Sequence, residues 1–160
     1  MPKIVRDVMK SDIVKVSPDT PLPELQREFL SARVGALPVV GDDGRLEGIV
    51  SRSDVVRQFS VEQSLVELAS SGFDAELGGS DSTASVEAIG EAVGRRLAGL
   101  HARDLMIHDV ETTSPDESLA DAAKRMLRRR IHRLPVVEDG RLVGIVTALD
   151  YVAIFGEGAA

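Results

Sequence analysis

The stretch Ile131-His132-Arg133-Leu134-Pro135-Val136-Val137-Glu138-Asp139-Gly140-Arg141-Leu142-Val143-Gly144-Ile145-Val146-Thr147-Ala148-Leu149-Asp150 decides the fold. A short apolar run after Arg133, a tight Asp-Gly turn and a second run ending in Gly-Ile-Val read as a β-hairpin. A helix is expected to start near Ala148. The pattern occurs twice. Leu37-Pro38-Val39-Val40 precedes Leu134-Pro135-Val136-Val137 by 97 positions, and so do Asp7-Val8-Met9 before Asp104-Leu105-Met106 and Val16-Ser17-Pro18-Asp19 before Thr113-Ser114-Pro115-Asp116. Gly44-Arg45-Leu46-Glu47-Gly48-Ile49-Val50-Ser51 precedes its counterpart Gly140–Thr147 by 96, because one residue is lost inside the turn. Self-similarity at a constant offset marks a tandem repeat.

Upstream of each hairpin, Pro18-Asp19-Thr20 and Pro115-Asp116-Glu117-Ser118 precede helix-period runs. These carry Leu22, Leu25, Phe29 and Leu30 in the first copy, and Leu119, Ala122, Ala123, Met126 and Leu127 in the second. The unit is helix, strand, hairpin turn, strand, helix. Neither copy alone buries a large core, so the two small sheets are expected to pack across a pseudo-twofold. The expected class is α+β, divided into a first repeat (1–57), a helical insert (58–102), a second repeat (103–156) and a tail (157–160).

Composition narrows the function. The chain of 160 residues is 43% hydrophobic and 28% charged, which fits a folded protein. Aromatics are only 3%, without Trp, and the net charge is −7; both oppose bulk nucleic-acid binding. Cys is absent, excluding disulfides and thiolate metal sites. No stretch has the length of a signal peptide or membrane span, and a cytoplasmic location is expected. His101, His108 and His132 are not at metal-ligand spacing, and no nucleophile constellation or Gly-Lys-Ser loop occurs, so no enzyme is expected.

Ser51-Arg52-Ser53-Asp54 and Thr147-Ala148-Leu149-Asp150 both have capping-box spacing, with Asp in place of Glu. They serve equally as plain helix caps or as ligand contacts, since a helix start offers free amides to a phosphate and an Asp accepts from paired hydroxyls.

The units Val5-Arg6-Asp7-Val8-Met9, Ser17-Pro18-Asp19, Leu37-Pro38-Val39-Val40 and Gly48-Ile49-Val50-Ser51-Arg52-Ser53-Asp54, with their second copies, resemble the cystathionine-beta-synthase (CBS) domain. The likeness covers about residues 4–57 and 103–156. It implies a tandem pair with two clefts for adenosyl compounds such as AMP, ADP or ATP, with Ser51, Asp54, Thr147 and Asp150 as ligand contacts. It also implies a regulatory module, a homodimer and a protein partner that reads the ligand state.

The two copies differ just before Leu-Pro-Val-Val, where Val34-Gly35-Ala36 faces Ile131-His132-Arg133. The second resembles the nucleotide-sensing gamma subunits of AMP-activated protein kinase, which implies phosphate contact by His132 and Arg133 and a role in energy sensing. The first copy carries no equivalent cation, so one competent and one degraded site are expected. Arg128, Arg129 and Arg130 read as a solvated helix end. Two other classes stand beside nucleotide sensing: a dimerisation or interaction scaffold whose caps are structural only, and recognition of an oligonucleotide by the Arg128–Arg133 patch.

In the insert, Ser60-Val61-Glu62-Gln63 reads as a capping box opening a helix with Val61, Leu65, Leu68 and Ala69 on one face, ended by Gly72. Residues 77–83 read as a loop, and Val86, Ile89, Val93 and Leu97 as a second helix reaching about Gly99. The apolar faces are expected either to pack on the module or to enter a dimer contact.

Overall fold

A computed structural model describes residues 3–77 and 82–157. A single 3-10 turn, Val5–Asp7, leads into α1 (Leu22–Ser31), the strands β1 (Ala36–Val40) and β2 (Leu46–Ser51), and α2 (Arg52–Leu77). Then come α3 (Ser82–Ala98), the short α4 (Ala102–Leu105), α5 (Leu119–Arg129), β3 (Arg133–Glu138), β4 (Arg141–Thr147) and α6 (Ala148–Glu157). The expected repeat unit is present twice, and the class is α+β.

Both hairpins are antiparallel with matching register: Ala36 lies opposite Ser51, and Arg133 opposite Thr147. Each has a bulge at the same place, after Val39 or Val136. The turns are closed by Gly44 and Gly140 at φ +81° and +79°, a conformation that a Cβ disfavours. A parallel bridge widens each sheet: Val16 N–H donates to Pro38 O (3.0 Å), and Thr113 N–H to Pro135 O (3.0 Å).

The opposite edge of each sheet is completed by the other repeat. Lys10 exchanges two backbone hydrogen bonds with Ile145, both 2.9 Å, and Ile107 exchanges two with Ile49, 3.0 and 2.9 Å. The lead-in of each copy therefore caps its partner's hairpin. Val5 accordingly belongs to the second core with Leu119, Ala122, Met126, Leu134, Val136 and Val146. Ala102 and Leu105 belong to the first, with Leu22, Leu25, Phe29, Leu37, Val39 and Val50. Leu37 and Leu134 are fully buried, each contributing roughly 2 kcal/mol of transfer free energy. The exchange needs close backbone approach at Gly48 and Gly144. A Cβ built on Gly48 would lie 2.8 Å from Ile107 O, and one on Gly144 would lie 2.7 Å from Met9 Sδ and 3.2 Å from Lys10 O.

The insert departs from its expected pattern. Ser60 opens no helix: α2 already runs from Arg52, and the Ser60 hydroxyl donates to Val56 O one turn back (3.2 Å). Gly72 likewise lies within α2. Of the expected loop, Leu77 ends α2, Ser82 and Thr83 begin α3, and residues 78–81 lie outside the described residues. The face of Val61, Leu65 and Leu68 is exposed. What turns inward is Glu62, whose buried carboxylate accepts from Arg96 of α3 and from Gln58 Nε2 (2.9 Å). Two close donors outweigh hydrophobic periodicity at that position, because a carboxylate removed from water must be matched, here by the exposed Arg96 head and Gln58. Val93 is buried, and Leu97 packs on the first core, so the hairpin α2–α3 is anchored to the first repeat.

Candidate functional site

The two Ser/Thr-to-Asp motifs form at the junction of β2 with α2 and of β4 with α6. Asp54 Oδ2 accepts from Ser51 N–H (2.8 Å) and Ser51 Oγ–H (2.6 Å), and Asp54 N–H donates back to Ser51 Oγ at 3.3 Å. Asp150 Oδ2 likewise accepts from Thr147 N–H and Thr147 Oγ1–H, both 2.7 Å. Both aspartates are buried. The capping geometry thus consumes one carboxylate oxygen in each motif.

The other oxygen of each aspartate meets a cation, from different sources. Asp54 Oδ1 pairs with Arg57 Nη1 of its own helix at 2.9 Å. Asp150 Oδ1 pairs with Lys10 Nζ at 3.0 Å, and Lys10 comes from the exchanged lead-in of the first repeat. Burial pushes the Asp150 carboxyl up, but the Thr147 hydroxyl, Lys10 and the Thr147 amide together outweigh it and hold it below the ordinary range.

Arg133, opposite Thr147 on the second hairpin, sends its guanidinium across to the first repeat. Its Nη1 reaches Ala36 O at 3.5 Å, and its Nη2 lies 3.5 Å from where a Gly35 Cβ would stand. Ala36 in turn is the partner of Ser51. Arg133 is partly buried, burial lowers its pKa, and among the described residues it makes no ion pair with a carboxylate. The first copy does lack a cation of its own before Leu-Pro-Val-Val, but face-to-face packing of the repeats delivers Arg133 beside its Ser51 strand. The absence of a side chain at Gly35 leaves the room.

His132 is not brought together with the Arg133 guanidinium. It is exposed and lines an apolar groove of about 470 Å³ between α5 and α6, with Met126, Leu127, Tyr151 and Phe155. Its carbonyl accepts from Ala148 N–H (2.9 Å), closing the strand-to-helix corner. Arg128, Arg129 and Arg130 are exposed, and Arg129 pairs with Glu111 at 2.7 Å. Lys10 was not among the expected contacts. Its signal was present in the repeat comparison: the residue 97 positions on is Ile107, a cation-to-apolar change beside the otherwise matching Asp-x-Met units.

Among the described residues no group of three or more His, Asp or Glu side chains could hold a metal ion, and no helix is long and apolar enough to cross a membrane.

Comparison with known proteins agrees with this architecture. The uncharacterized protein MJ1426 of Methanocaldococcus jannaschii is 34% identical over 151 residues, covering 93% of this chain and 89% of its own. The 5'-AMP-activated protein kinase subunit gamma-3 of Homo sapiens is 31% identical over 123 residues, covering 76% of this chain and 20% of its own. The chain spans only 20% to 42% of the length of several curated relatives. The crystal structure of CBSX2 in complex with AMP aligns at a TM-score of 0.71 and 25% identity, covering 99% of this chain and all of that one. The profile of the CBS domain matches residues 5–61 and 102–157, and this chain therefore belongs to the CBS domain family, as a tandem pair.

Proposed function

We propose that this chain is a regulatory, non-catalytic module that binds an adenosine nucleotide at the junction of its two repeats. The observation that carries the reading is Arg133, a partly buried guanidinium without a carboxylate partner among the described residues, held beside the Ser51 strand. Desolvating a cation without pairing it costs stability, and a phosphate would supply the missing partner with two oxygens for the planar fork. Ser51 and Thr147 stand at helix starts, where amides and dipole favour an anion, and Asp54 and Asp150 each have one oxygen outside the cap, held by Arg57 or Lys10, that a ribose hydroxyl takes when the cation moves aside. The AMP complex of CBSX2 and the kinship with a kinase gamma subunit support an adenosine ligand. Arg133 is the main phosphate contact in this reading, and His132, on the groove side, is secondary.

A second copy is proposed to complete the module. Leu30 and Val56 of the first repeat and Phe59 one turn further along α2 are exposed, and so are Leu127, Val152 and Phe155 at the corresponding positions of the second repeat. Two equivalent apolar faces suit a symmetric, self-complementary contact. Ligand binding that favours one arrangement of repeats or protomers would then be read by a protein partner.

A thermal-shift series with adenosine, AMP, ADP, ATP and the guanosine equivalents tests the binding. A rise with adenosine nucleotides, reduced in Arg133→Met and in Asp150→Ala, is expected; no rise with any of them overturns it. Sedimentation of Leu127→Glu/Phe155→Glu tests the dimer, which should dissociate while the wild type does not.

A further inference from the structure

The geometry points to Lys10 as the residue that makes the second-repeat site discriminate phosphorylated from unphosphorylated adenosyl ligands. In the ligand-free protein its ammonium closes the Asp150 carboxylate. When ribose hydroxyls take that oxygen, the ammonium turns to the ligand's phosphate. This inference rests on the proposed nucleotide site.

Four observations carry it. Asp150 Oδ2 already accepts two hydrogen bonds from Thr147, so Oδ1 is the oxygen left for a ligand. Lys10 Nζ stands on that same Oδ1 at 3.0 Å, so a sugar hydroxyl cannot use it until the ammonium moves. The backbone of Lys10 is fixed by its two hydrogen bonds to Ile145, two residues before Thr147, while the side chain is 64% exposed against 9% for Asp150. A fixed base with a solvated, four-carbon arm can exchange partners cheaply. Finally, the position is specific to one site, because the first repeat's hairpin receives Ile107 at the equivalent place and Asp54 is served by Arg57 of its own helix.

The consequence is a difference in how ligands are received. A bare nucleoside displaces Lys10 from Asp150 and offers nothing in return. A nucleotide offers its phosphate, so the charge-assisted contact is exchanged rather than lost. Desolvation pushes the Asp150 carboxyl up, but Thr147 and Lys10 together outweigh it and hold the carboxyl low in the ligand-free state, in keeping with a carboxylate that is ionised and ready to accept.

The test is calorimetric titration of adenosine and AMP into wild type, Lys10→Met and Lys10→Arg, together with carboxyl NMR titration of Asp150 without ligand. Lys10→Met should bind adenosine roughly tenfold more tightly and AMP about as well as wild type, so that the preference for AMP over adenosine shrinks roughly tenfold, with Lys10→Arg close to wild type, and the Asp150 titration should move up in Lys10→Met. If wild type binds both ligands and Lys10→Met leaves their ratio unchanged, the role of Lys10 is overturned while the nucleotide site stands. If wild type binds neither, the site and the role of Lys10 fall together. An unmoved Asp150 titration overturns the resting contact itself.

Discussion

Replacing Arg133 with Met separates what the residue does for stability from what it does for binding. Moving an unpaired cation fully out of water costs several kcal/mol in a real protein, but the guanidinium is only partly buried, and solvent screens most of that. About 1 kcal/mol of unfavourable desolvation remains as a reasonable expectation. Among the described residues its guanidinium makes one polar contact, to Ala36 O at 3.5 Å, which is too long to offset much of this. Met keeps the apolar stem that packs between the repeats. Ligand-free Arg133→Met should therefore melt about 2–4 °C above wild type, the shift that 1 kcal/mol produces in a chain of this size. With ligand the order should reverse. At a hundredfold excess over Kd, wild type gains about 2.7 kcal/mol per site, and the variant should gain clearly less from AMP at the same concentration. Differential scanning calorimetry with and without AMP reads both effects. A variant destabilised by more than about 1 kcal/mol, or one that keeps the full AMP response, would contradict these two roles of Arg133.

Other perturbations bear on neighbouring steps. Gly144→Ala and Gly48→Ala should each destabilise by about 1–3 kcal/mol in urea, because the new methyl meets the exchanged lead-in at under 3 Å; Gly90→Ala, with nothing within 4 Å, should not. Tyr151→Phe should lose about 1 kcal/mol, since its hydroxyl donates to Leu119 O at 3.0 Å and ties α6 to α5. Asp150 has a folded-state pKa below its unfolded value, so its contribution is present above about pH 4 and lost as pH falls through the folded value. The stability gap between wild type and Asp150→Asn should accordingly close on acidification; a constant gap would contradict this. His132→Ala should weaken AMP binding less than Arg133→Met does, as read by titration.

The repeat carried most of the fold in plain view. Gly-Ile-Val-Ser and Gly-Ile-Val-Thr at one offset located both hairpins and both cap motifs, and the caps formed with the expected Ser51–Asp54 and Thr147–Asp150 partners. The exchange of lead-ins was not legible, because Asp7-Val8-Met9 and Asp104-Leu105-Met106 carry the same pattern and nothing in either states which hairpin it will meet. For the same reason Arg133 could be read as serving its own repeat, whereas packing carries its head to Gly35 and Ala36. In the insert, Ser60 and Gly72 matched local start and stop signals but lie in one long helix, where the pairing of buried Glu62 with Arg96 determines which face turns inward. Tertiary pairing of two charged side chains leaves no trace in hydrophobic periodicity.

The most direct test of the nucleotide claim is isothermal titration of AMP, ADP and ATP into the purified chain at physiological salt. Saturable binding with defined stoichiometry per chain, reduced in Arg133→Met and in Asp150→Ala and lost when the two are combined in a variant that remains folded, is the predicted result. The absence of heat and of competition by any of the three at millimolar concentration would contradict it.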